Sequence, residues 1–173
     1  MALSMYQASI PVFQHTLTAL AAILDKVQAH AAAKKIDPSV LLGTRLAPDM
    51  FPLSRQVQIA CDFAKGAGAR LAGIAVPSYE DSEKSIPELK ARIAKTQAFL
   101  ATLTPAQIDG SETRGFKMKV GPQEMDFVGQ PYLLSFALPN FYFHATIVYA
   151  ILRANGVDVG KFDFLGMPRP AWA

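Results

Sequence analysis

The sequence predicts an all-α protein, a four-helix bundle with a short β-hairpin inserted before the fourth helix. Three observations carry this reading. Three segments repeat apolar residues at alternating steps of four and three, the seam of helices packed side by side. A fourth segment, 131–152, contains no Asp, Glu, Lys or Arg. Between the third and fourth, the period drops to two, which is a strand signature.

The first helix is predicted over 4–32. Its seam is Tyr6, Ile10, Phe13, Leu17, Leu20, Leu24 and Val27. Pro11 should kink or shift the early turns. His15 points away from the seam to solvent, and His30 suits the negative end of the helix dipole. Residues 33–50 connect, with room for a helical turn at 38–42. The second helix starts near Phe51–Pro52, with Asp49 as its cap, and runs to about Leu71. Its seam is Leu53, Val57, Ala60, Ala64, Ala67 and Leu71, and Gly66 and Gly68 weaken it locally.

The third helix opens at Ser85, which with Glu88 matches a capping box. Ile86, Leu89, Ile93, Thr96, Leu100 and Leu103 form its seam, and 104–107 adds one turn. Phe116, Met118 and Val120, then Met125 and Phe127, alternate about Gly121-Pro122 as a hairpin. Two such strands are marginal without a helix to pack on. The fourth helix runs from about Pro131 to Asn155, with Gly156 just past its end. The tail from Val157 is extended, with Phe162, Phe164 and Leu165 packing back and the last residues frayed.

With 173 residues, the chain fits one domain over 1–173. Hydrophobic residues make up 51% and charged residues 18%, which argues against disorder. The net charge of +3 is scattered and forms no basic stripe, so nucleic acid is not an expected partner. The lone cysteine, Cys61, fits a reducing, cytoplasmic compartment and lies in a helical pattern as a buried structural thiol. The start of the chain shows no charged leader or signal-peptide core. Segment 131–152 is long enough to span a membrane, but it carries Pro139, Asn140, His144, Ser135 and Thr146, so a buried helix is expected instead.

The fourth helix raises the functional question. One seam is Leu133, Ala137, Asn140, His144, Ile147 and Ile151. A second, wholly apolar one is Leu134, Leu138, Phe141, Ala145, Val148 and Leu152. On the first, Asn140 and His144 point at the other helices. Two apolar faces place this helix at the centre of the fold or in a homodimer interface. A buried amide and imidazole need partners: each other, a backbone carbonyl, a water, or a ligand in a polar pocket. Gln56 is the better inward candidate from the second helix, and Tyr6 reaches in from the first. Gln58 and Asp62 lie on the opposite side as a solvated stripe, and Asp62 joins the site only if the helix is rotated.

The stretches "LAPDMFPLSRQVQIACDFAKGAGARLAG" and "LLSFALPNFYFHATIVYAILRANGVDVGKFDFLG" resemble a bacterial family without an assigned activity within the DinB/YfiT superfamily of metalloenzymes. The resemblance spans essentially the whole chain and implies a DinB-like bundle. Active relatives hold a divalent metal, such as zinc or nickel, through one histidine on the second helix and an H-x-x-x-H pair on the fourth. Carried over, the second histidine of that pair is His144 and the first is Asn140. The second helix has no histidine, only Gln56, Gln58 and Asp62 nearby, so the resemblance implies Asn140 or Asp62 as an auxiliary ligand beside His144. No cofactor is therefore expected, and the leading expectation is a small-molecule ligand in the bundle pocket. The alternative is a metal-dependent enzyme resembling thiol S-transferases. No catalytic residue is identified.

Overall fold

A proline decides where the first helix begins. In the computed structural model, which describes residues 3–170, α1 spans Ile10–Lys34 with Pro11 in its first turn, where a missing N–H costs nothing. Residues 5–9 form tight turns instead of the expected first coils, and Ser9 Oγ donates to the Met5 carbonyl at 2.6 Å. The expected fraying of 171–173 lies outside the described residues, as do residues 1–2 of the N-terminal stretch. α2 covers Pro38–Gly43 and is capped by Asp37. α3 spans Leu53–Ala72, but its N-cap is Pro52 without a side-chain bond, so Asp49 is not the cap. α4 spans Ile86–Ala101 and carries both bonds of the Ser85–Glu88 capping box. α5 is the single turn Pro105–Ile108.

β1 (Gly115–Val120) and β2 (Gln123–Val128) pair antiparallel, with Phe116 opposite Phe127. Both rings meet Tyr132 edge-on, with centroids 4.9 and 5.4 Å away. The hairpin thus finds the helical support that two strands require.

The fourth long helix is continuous over Gly129–Ala154 but not uniform. α6 (Gly129–Tyr132) leads into a π-helical turn, Leu133–Ala137, and then α7, Leu138–Ala154. Pro139 explains the turn. Its ring would strike the carbonyl four residues back, and a wider turn relieves that clash. The extra residue shifts which face is buried. Leu133 and Ala137, from the first predicted seam, are buried at the two ends of the turn. Beyond it Phe141, Ala145, Val148 and Leu152, from the second seam, are buried, and of the first seam only His144 and Ile151 stay buried. The tail is not extended: Lys161–Phe164 forms a helical turn, α8, against α1, where Lys26 pairs with Asp163 at 2.7 Å.

The fold is thus mostly helical, with one small antiparallel hairpin. α1 packs on α4, α4 on α3, and α3 on α7, and Phe13 meets Phe141 edge-on at 4.9 Å between α1 and α7. The seam residues of α1, α3 and α4 are buried from Ile10 onward, while Tyr6 is half-buried ahead of the helix. The central element is α3, not the fourth helix: it buries its predicted seam and also Gln56, Gln58, Cys61 and Lys65. Burial pushes the Cys61 thiol up to about 12, so it is inert at neutral pH. The fourth helix keeps Leu134, Tyr142 and Phe143 exposed.

Candidate functional site

The two buried polar groups that face each other across α3 and α7 are Gln56 and His144. Gln56 Oε1 lies 2.7 Å from His144 Nδ1. Gln56 Nε2 donates to the Phe51 carbonyl at 3.0 Å, which orients the amide with its oxygen toward the imidazole. An amide oxygen only accepts, so Nδ1 carries the proton and Nε2 is the bare nitrogen. The Phe63 ring stacks on the imidazole at 5.9 Å and the Phe143 ring meets it edge-on at 5.2 Å. Burial, aided by the nearby Arg55 charge, lowers the His144 pKa to about 4, so the ring is neutral at pH 7.

The other expected site residues go elsewhere. Asn140 does not reach His144. Its Nδ2 donates to the Phe136 carbonyl at 2.7 Å, within the π turn, because the added residue carries position 140 off the buried face. Tyr6 lies near the opposite end of α3. Its N–H donates to Asp109 Oδ1 at 2.8 Å, and Ile10 beside it packs near Gly68. Gly68 is about 18 Å along the helix from Gln56.

Gln58 and Asp62 are not a solvated stripe, because the loop before α4 folds over them. Gln58 Nε2 donates to Glu83 at 2.9 Å. Asp62 Oδ1 accepts from Arg92 at 2.8 Å and Lys65 at 2.9 Å. Arg92, only 3% exposed, also pairs with Asp81 and Glu83, each at 3.0 Å. Tyr79 sits among Lys65, Lys95 and Arg92, 4.3 to 5.3 Å from its ring centre. Sequence reasoning missed Arg92. The available signal was its place on the apolar stripe of α4, three residues after Leu89 and four before Thr96.

A cleft of about 310 Å³ opens between α3, the hairpin and the π turn. Phe63, Phe136, Met118 and Val120 form its apolar wall, and Asp62, Arg70 and Lys119 bring charge. Phe63 is shared: it lines the cleft and stacks on His144, so one ring separates the two.

A family model described as a domain of unknown function, DUF1993, matches residues 5–165. The chain belongs to this family. A crystal structure of a DinB family member protein from Shewanella denitrificans is similar to it, with 42% identity and a TM-score of 0.86, over 96% of this chain and 94% of that one. No curated protein matches. The DUF1993 chain therefore shares a DinB-like helical fold.

The metal that the DinB resemblance implies does not fit the residues present. His144 Nε2 is a competent nitrogen, but it stands alone. The Asn140 amide is turned to a carbonyl, Gln56 holds Nδ1, and Asp62 is held by two cations. Among the described residues no three His, Cys, Asp or Glu side chains converge. A zinc or nickel centre needs at least three such donors.

Proposed function

We propose that this DUF1993 chain is a cytoplasmic bacterial protein, a single DinB-like four-helix bundle domain that binds a small organic molecule without a metal. The ligand occupies the cleft beside His144, with the Gln56–His144 pair bracing the wall behind Phe63. The observation that carries this reading is the shared Phe63 ring, which couples an apolar cleft to a fixed, neutral polar pair. A cleft of this size stands at the lower end of the range for ligand pockets, roughly 300–1,000 Å³, so the ligand is small. The exposed Leu134, Tyr142 and Phe143 support a homodimer through the fourth helix. Neither nucleic acid nor a membrane is a partner in this reading.

The similarity to a DinB family member favours one second reading, a divalent-metal enzyme of the thiol S-transferase kind with His144 as a ligand. Elemental analysis of untagged protein, beside His144→Ala, separates the two. The proposal expects only trace zinc, nickel or iron in both, even after incubation with excess ions. Near-stoichiometric metal that vanishes in the variant would replace the proposal with the enzyme.

A further inference from the structure

Resting on the cleft assignment above, we infer that the ligand is an organic carboxylate with a small apolar body, its head held by Arg70. The argument starts from where this protein spends its carboxylates. Arg92, on α4, meets three of them, and Arg55, near the start of α3, meets one. Arg70 makes no ion pair among the described residues, and neither does Lys119 across the cleft. The one acid on the wall, Asp62, does not neutralise them. It sits two turns earlier on α3, about 12 Å away along the axis, and its Oδ1 serves Arg92 and Lys65.

The Arg70 head is also held in place. Its Nη1 donates to the Tyr132 hydroxyl at 3.2 Å, and Tyr132 is 1% exposed and wedged among Phe116, Phe127 and Phe136. Gly66, one turn back, makes the room: a Cβ there would stand 2.5 Å from Arg70 Nη1. A guanidinium fixed on a cleft wall, with unused donors and no anion of its own among the described residues, is built for a planar carboxylate. The apolar wall beyond it takes a ring or a short chain.

The test is an NMR titration of the full chain with benzoate and hexanoate, and with their neutral counterparts benzamide and hexanamide. The inference expects a carboxylate to bind and shift signals of Phe63, Phe136 and Val120, with the matching amide at least tenfold weaker. Arg70→Gln should remove that preference, bringing the carboxylate down to the affinity of its amide, while the loss of the bond to the Tyr132 hydroxyl lowers the melting temperature by itself. Gly66→Ala, which keeps every charge but displaces the guanidinium, should also weaken the carboxylate. Equal binding of acid and amide, or a preference that survives Arg70→Gln, overturns the inference and leaves the cleft as a neutral site. If none of the four probes shifts the cleft signals at millimolar concentration, the cleft assignment falls and takes the inference with it.

Discussion

Replacing both partners of the Gln56–His144 hydrogen bond should cost less than the two single replacements added together. With His144→Leu, the amide oxygen of Gln56, a residue 1% exposed, loses its partner. An orphaned buried acceptor costs about 1–3 kcal/mol. With Gln56→Leu, the imidazole N–H and the Phe51 carbonyl lose theirs, a cost in the same range. In the double variant only the Phe51 carbonyl, at the exposed lip of the helix, remains unpaired, and two apolar side chains of similar bulk face each other. The singles then sum to about 2–6 kcal/mol and the double to about 0–2, a coupling of about 2 kcal/mol or more. Urea melts of the four proteins at pH 7.5 measure this directly. Additivity within about 0.5 kcal/mol would refute the pairing. A His144→Leu chain more stable than the parent would do so too, and would mean that His144 is kept at a cost to stability.

The same pair sets an acid limit. The unfolded imidazole binds its proton near pH 6.5 and the folded one near 4, so between those values the unfolded state holds more protons. Stability from this group is intact above pH 6.5 and is lost as pH falls toward 4, by about 3 kcal/mol in all. The parent-minus-double-variant difference should slope in that window and lie flat above pH 7; parallel curves throughout would remove His144 as the cause. Gly129→Ala should be among the most damaging single changes, because its Cβ would lie 1.9 Å from the Ser111 carbonyl oxygen, a backbone atom that cannot swing aside. Opening that contact breaks the bonds from Gly129 N to Arg114 O and from Gln130 N to Glu112 O, for a net loss of about 2–4 kcal/mol. Gly43→Ala, with open space around it, is the control; a Gly129→Ala melt within 0.5 kcal/mol of it would show that the turn yields freely.

The seams of α1, α3 and α4 were legible because helices packed lengthwise repeat apolar residues at coiled-coil spacing, and only the end members Tyr6, ahead of Pro11, and Leu103, past Ala101, fall outside their helices. The Ser85–Glu88 cap and the hairpin around Gly121 were legible because each rests on local chemistry. What could not be read depended on contacts distant in sequence. Gln58 and Asp62 pointed away from the core by angle alone, but residues 80–83 come back to cover them. Gln56 could be aimed inward from its angle, whereas its bond to His144 spans 88 positions. Of the partners open to Asn140, the sequence does not select the Phe136 carbonyl, because that bond depends on the change of helical count at Pro139.

That change of count divides one rod into two instruments. Ahead of the π turn and within it, Tyr132 and Phe136 serve the hairpin and the cleft; on the far side, Phe141, His144 and Val148 serve the interior beneath α3. The wide turn sets a fixed offset in phase between the halves, so each presents the face that its own neighbours contact. A change of ring at position 132 or 136 is therefore felt at the hairpin and the cleft wall, and one at 141 or 148 in the packing beneath α3.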